Sequence, residues 1–182
     1  MRPILFTGAP GIGKSTLLCR LADVVDPRMV SGVISGEIRI EGKRQGFSVR
    51  SFGGAPGVLS SPDLPGEPRF GTLMPDGSRR LGLSLDHLDQ VVCAEVESSL
   101  PNAKMVILDE IGPMQVESKR FRRLVQKIFA MSVPVFASVG LQNHEWMAEL
   151  RNDKRYPLIE LTYRNRDLVA ELLISRIREV VG

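Results

Sequence analysis

Gly8-Ala9-Pro10-Gly11-Ile12-Gly13-Lys14-Ser15-Thr16 fits the phosphate-binding loop pattern, two glycines with four residues between them and then Lys and Ser/Thr. The run before it, Pro3-Ile4-Leu5-Phe6-Thr7, predicts a short buried strand, and Thr16 to Asp23 after it predicts a helix. Strand, glycine-rich turn and helix in that order is the context the pattern needs. Gly8, Gly11 and Gly13 open backbone conformations closed to residues with a Cβ, so that N–H groups from Gly8 through Thr16, those of Ala9 and Ile12 among them and Pro10 excepted, can converge on phosphate oxygens. The start of the helix adds partial positive charge. Lys14 brings a full charge to β- and γ-phosphates, the Ser15 hydroxyl is suited to ligate Mg²⁺, and Thr16 is next in line for an α-phosphate oxygen.

Composition bounds the rest. A chain of 182 residues with 43% hydrophobic and 25% charged residues suits a single domain, 1–182, with a substantial core. No apolar run approaches the length of a membrane span, and the first strand begins too soon to leave room for a leader, so a cytoplasmic protein is expected. Cys19 and Cys93 fall in helical segments with apolar neighbours and read as buried free thiols of a reducing compartment. His87 and His144 are isolated, and nothing has metal-ligand spacing of the His/Cys kind. A formal net charge of +3 suits an anionic ligand such as a nucleotide and does not call for nucleic acid or a membrane.

The chain changes texture along its length. Residues 30–82 hold 11 of the 17 glycines, with short alternating runs at 30–34, 37–40, 46–52, 58–59 and 70–74. Glu41-Gly42-Lys43-Arg44 sits where a hairpin turn would, and Pro62 to Pro68 reads as a loop. This region is expected to be an antiparallel β insertion beside or continuing a main sheet. The remainder alternates: helix 85–99, strand 104–108, helix 117–130, strand 133–139, helix 143–150, strand 158–162 and helix 166–180. That order predicts an α/β fold with a central, mostly parallel sheet flanked by helices, its ligand beyond the carboxyl ends of the strands.

The second chemical element is Met105-Val106-Ile107-Leu108-Asp109-Glu110, an apolar strand ending in two carboxylates. It resembles a Walker B element. Asp109 would hold Mg²⁺, and Glu110 would stand next to the γ-phosphate and polarise a water. An acid directly after the magnesium aspartate leans toward hydrolysis over transfer to a bound hydroxyl.

The phosphate loop, Asp109-Glu110-Ile111-Gly112-Pro113-Met114 and the late Arg164-Asn165-Arg166-Asp167 together resemble the small nucleoside-triphosphatases first described from thermophiles, a family that includes the human cancer-related nucleoside-triphosphatase. The family's middle region shows an acid, an arginine, a glycine, an arginine and Gly-Phe; here these are Glu37, Arg39, Gly42, Arg44 and Gly46-Phe47. The resemblance implies a RecA-like P-loop fold and slow, Mg²⁺-dependent hydrolysis of ATP, GTP, CTP and UTP to diphosphates with loose base selectivity, here expected of a monomer. Two departures stand out. Gln115 replaces an acid common in the family, and the family's usual threonine near the start of the middle region is Ser35 or absent.

The transition-state arginine is expected to be Arg166, with Arg39 and Arg44 as rivals and Arg164 a neighbour able to substitute. Lys14, Glu110 and Arg166 are thus the candidate catalytic residues. Arg151, Lys154 and Arg155 could form a lid of the kind nucleotide kinases use, and Lys119, Arg120, Arg122, Arg123 and Lys127 make a basic helix face. A small nucleotide or metabolite kinase and an RNA-associated ATPase or adapter are the alternatives those clusters keep open. Ser138 is either a simple strand-end serine or a γ-phosphate sensor, and Phe47, Phe70 and Trp146 are the aromatics available to stack on a base.

Overall fold

Short apolar runs alternate with amphipathic ones, and the computed structural model, which describes residues 2–66 and 69–181, turns that alternation into one layered sheet. Nine strands stand in the order β5-β6-β4-β3-β2-β7-β8-β1-β9. They are β1 (Ile4–Thr7), β2 (Val30–Ile40), β3 (Lys43–Ser51), β4 (Gly57–Ser61), β5 (Phe70–Leu73), β6 (Arg79–Leu83), β7 (Met105–Ile111), β8 (Val135–Val139) and β9 (Leu158–Glu160). Neighbouring strands from β2 to β9 pair in parallel, and β3, β4, β6 and β5 continue the sheet antiparallel. The expected insertion therefore extends the main sheet.

The helices are α1 (Lys14–Ala22), α2 (Cys93–Ser99), α3 (Lys119–Phe129), α4 (Glu145–Asn152) and α5 (Arg166–Val181). β7 shows how the two faces are covered. Met105 and Ile107 pack with Leu17, Leu18 and Leu21 of α1 and Ala170 and Ile177 of α5, while Val106 and Leu108 pack with Val96 of α2 and Phe121, Leu124, Val125 and Ile128 of α3. Residues buried on both faces explain why the parallel strands read as continuous apolar runs. Ser118 caps α3, accepting from the Phe121 N–H at 2.8 Å.

Several local expectations change. The runs 30–34 and 37–40 are one strand, because β2 is paired with β7 over Val30–Ile34 and with β3 over Val33–Ile40, and the two ladders overlap across the join. The hairpin turn needs only Glu41 and Gly42, both at positive φ (48° and 76°), the pair of conformations a two-residue turn of this hand requires; Lys43 and Arg44 belong to β3. β6 was not foreseen. Its Gly82 dilutes the strand signal, yet a Cβ there would lie 1.9 Å from the Leu64 carbonyl oxygen, so the close approach demands glycine. Of the loop Pro62 to Pro68, Glu67 and Pro68 lie outside the described residues. A wider turn at Leu88–Val92 opens the segment expected as helix 85–99 and leads into α2. Cys93 is buried, and burial pushes its thiol up to about 12. Cys19 corrects the expectation: it is exposed. It follows Ser15 by four residues and so shares that residue's side of α1. Among the described residues no helix is long and apolar enough to cross a membrane.

Candidate active site

The phosphate loop joins β1 to α1 beyond the carboxyl end of β1. Gly13 precedes α1 at φ 107°, and no side chain caps the helix start, so its first N–H groups are available to an oxygen ligand. Gly8 is required by packing, since a Cβ there would lie 2.7 Å from the Leu161 carbonyl oxygen. The Lys14 ammonium bends back along the loop, donating to the carbonyl oxygens of Gly8 (2.9 Å) and Ala9 (3.3 Å). Ser15 and Thr16, at the start of α1, are exposed.

β8 separates β1 from β7 and brings the two carboxylates level with the loop. Asp109 is only 3% exposed. Its Oδ1 accepts from Ser138 Oγ at 2.8 Å, and the Ser15 hydroxyl lies close enough to the carboxylate to favour its charged form. Burial pushes the Asp109 carboxyl above the ordinary carboxylate range, opposed by the Ser15 and Ser138 hydroxyls and by the Lys14 charge. Ser138 is thus the group that orients Asp109 from β8. Ser15 and Asp109 offer a hydroxyl and a carboxylate side by side, a hard oxygen pair that fits Mg²⁺ with the remaining positions taken by phosphate and water. Among the described residues no three His, Cys, Asp or Glu side chains converge.

At Glu110 the regular pattern breaks. The pairing of β7 with β8 slips register between Leu108 and Ile111, and Ile111 packs on the same side as Leu108. Such bulges re-aim side chains beside active sites. Among the described residues nothing donates a hydrogen bond to the Glu110 carboxylate. Gly140 makes room for it, since Oε1 lies 3.0 Å from where a Gly140 Cβ would be; a Cβ on Gly112 would meet Cδ at an ordinary contact distance of 3.5 Å. Burial pushes this carboxyl up as well; Lys14 pulls it down, and Asp109 adds to the rise. Its backbone N–H donates to Ser35 Oγ at 3.2 Å, and the same oxygen accepts from Gln115 Nε2 at 2.7 Å. Sequence reading marked Ser35 and Gln115 as departures but had no signal that they meet.

Of the three candidate arginines, Arg166 is the one brought to the loop. Its Nη1 donates to the Ile12 carbonyl oxygen at 3.3 Å and lies 3.8 Å from where a Gly13 Cβ would be. Asn165 pins the turn that delivers it, accepting from the Thr162 N–H at 2.8 Å and donating to the Glu160 carbonyl oxygen at 2.9 Å. Arg166 also stacks over Tyr163. Arg39 and Arg44 are instead both engaged by Glu37 on the β2–β3 hairpin, at 2.5 and 3.2 Å, with Arg44 lying over Phe47. The 151–155 cluster is tied down: Arg151 donates to the Gly140 carbonyl oxygen, and Arg155 pairs with Asp153 and stacks on Tyr156. Trp146 lines a 310 Å³ pocket with Lys119, Arg122 and Arg123, and also a 1140 Å³ cavity between α3, α4 and the start of β1; no residue of the phosphate loop lines either.

Comparison with known proteins identifies the family and the fold. A family model described as an NTPase matches residues 3–174. The chain belongs to this NTPase family. Its relatives include the nucleoside-triphosphatase THEP1 of Thermotoga sp. (strain RQ2), 30% identical over 172 residues covering 94% of this chain and 93% of the relative. THEP1 of Thermotoga petrophila is 32% identical over 171 residues, covering 93% and 90%. Among solved structures, THEP1 from Aquifex aeolicus superposes with a TM-score of 0.80 at 28% identity, covering 96% of this chain and 98% of that one. A human cancer-related nucleoside triphosphatase shares the fold, with a TM-score of 0.71 and 98% coverage of both chains. As a member of this NTPase family the protein is a P-loop α/β hydrolase of nucleoside triphosphates.

Proposed function

We propose that the protein hydrolyses nucleoside triphosphates to diphosphates and phosphate in a Mg²⁺-dependent reaction with loose base selectivity, through Lys14, Ser15, Asp109, Glu110 and Arg166. The observation that carries this reading is the Glu110 carboxylate, which receives no hydrogen bond among the described residues and stands beside the Ser15–Asp109 pair. The loop N–H groups from Gly8 to Thr16 and the Lys14 ammonium bind the phosphates. Ser15 and Asp109, the latter oriented by Ser138, would hold Mg²⁺, which when bound neutralises charge on the β- and γ-oxygens. Glu110 orients a water and accepts its proton as the new P–O bond forms and the β–γ bridge breaks, the electron pair leaving with the diphosphate. Arg166 meets the charge that spreads over the γ-oxygens.

The elements named all address phosphate, metal and water, and none reads a base. Steady-state phosphate release from ATP, GTP, CTP and UTP is therefore expected to agree within about tenfold, a spread of about 1.4 kcal/mol. Release should need no acceptor and should stop when a chelator removes divalent metal. A hundredfold preference for one base would point to a dedicated kinase or switch. The five groups come from one chain, so the reading needs only a monomer, and two unpaired thiols suit a reducing cytoplasm.

Arg166→Ala is expected to lower kcat by roughly 10- to 100-fold with a smaller effect on nucleotide affinity, less than a full arginine finger supplies because Arg164 is close in sequence. Stopped-time phosphate release paired with a nucleotide-binding titration checks this. Wild-type turnover in Arg166→Ala alongside an inactive Arg39→Ala or Arg44→Ala would move the role to the hairpin.

A further inference from the structure

We propose that Ser35 and Gln115 act as positioning residues that set the place of Glu110 for attack by water. The proposal rests on the reading of Glu110 as the water-activating group. Ser35 follows Ile34, whose partner in the parallel ladder is Asp109, so strand pairing carries Ser35 to the level of Glu110. There its oxygen accepts twice, from the Glu110 N–H at 3.2 Å and from Gln115 Nε2 at 2.7 Å. One oxygen thereby ties the backbone of Glu110 to the turn that follows β7, at the point where β7 and β8 lose register. A hydroxyl accepts two hydrogen bonds and donates one. Ser35 spends both acceptances here.

Gln115 is unusual for its surroundings. It is 3% exposed, and its Oε1 has no partner among the described residues. A Cβ on Gly112 would lie 2.8 Å from that oxygen. Half-satisfied buried amides cost stability and call for an explanation. Holding Glu110 is one, because among the described residues no donor fixes its carboxylate. Its aim depends on the backbone that Ser35 grips and on the space left by Gly140. Neither Ser35 nor Gln115 bonds the carboxylate, so neither is a catalytic group. A base displaced by a fraction of an ångström loses rate while the phosphates remain bound elsewhere.

The test is phosphate release from ATP together with a fluorescent-ATP titration. Ser35→Ala is expected to lower kcat by about tenfold while KM and the nucleotide Kd stay within about twofold, and Ser35→Thr to restore most of the rate. Gln115→Leu, which keeps the volume and removes the unpaired oxygen, should also lower kcat several-fold without lowering the thermal midpoint; it serves if Ser35→Ala folds poorly. The double variant should be no slower than the slower single variant. In a Glu110→Gln background, Ser35→Ala should have no further effect. Wild-type kcat in both single variants overturns the proposal. So does an equal slowing by Ser35→Ala in the wild-type and Glu110→Gln backgrounds, the mark of a merely structural role. Full hydrolysis by Glu110→Gln itself overturns the Glu110 reading instead, so the two failures are distinct.

Discussion

Lys14→Ala is expected to lower kcat/KM for ATP by at least roughly 10²–10³, and to weaken nucleotide binding as well. The lysine contributes in both states of the reaction. On the proposed reading its ammonium faces the β- and γ-phosphates in the ground state and meets the charge gathering on the departing bridge oxygen in the transition state. It also braces the loop, through its bonds to the Gly8 and Ala9 carbonyl oxygens, so its loss loosens the cradle as well as removing a charge. The fold should survive. The side chain is partly exposed. Circular dichroism on the purified variant would establish folding, and phosphate release with a binding titration would separate the two effects. Unchanged turnover in the folded variant would refute the phosphate-loop assignment.

What the sequence made legible was local. The phosphate loop, the apolar strand before Asp109 and the helix faces of α1 and α3 each declare themselves within a dozen residues, because spacing and residue type there reflect one element's own geometry. The parallel α/β order follows from the same runs. The 30–82 region was legible as β but not as topology. Its strands are short, glycine-rich and half-exposed, and such strands specify their pairing weakly. β6 escaped because the glycine that weakens it as a strand is the residue its neighbour Leu64 requires. The site's supporting contacts were invisible for another reason. Ser138 reaches Asp109 across 29 residues of sequence, and Ser35 reaches Glu110 across 75 and Gln115 across 80. Serine and glutamine carry no signature that announces such a bond. Arg166 came from a resemblance in Asn165-Arg166-Asp167, and the structure supplies a physical reason for that spacing: Asn165 pins the turn after β9, and the next residue meets the loop.

Glu110→Gln is expected to lower the rate of hydrolysis by roughly 10²–10⁴ while leaving nucleotide affinity equal to wild type or slightly tighter. The substitution keeps the shape that fits beside Gly140 and keeps a hydrogen-bonding oxygen, but it removes the negative charge to which the proposed mechanism gives the orienting and deprotonation of water. Lys14, Ser15, Asp109 and the loop amides are left in place to hold the triphosphate and its metal. A carboxylate near the γ-phosphate also repels it, so binding gains a little when that charge goes. Stability should move the same way. Burial raises the Glu110 carboxyl above its ordinary value, so the charged form is disfavoured in the folded state. A group with a raised folded pKa contributes stability below its unfolded value and loses it as pH rises through the folded value. Glutamine carries no such dependence, so the thermal midpoint of Glu110→Gln relative to wild type should rise as pH increases. Slower hydrolysis, retained binding and a relative midpoint that rises with pH in one variant would be the signature of a group kept for chemistry at the expense of the fold. Equal loss of binding and turnover would make Glu110 a metal or structural residue. Full hydrolysis would mean that water is activated elsewhere, and the distinction from a kinase would then have to rest on acceptor-free phosphate release alone.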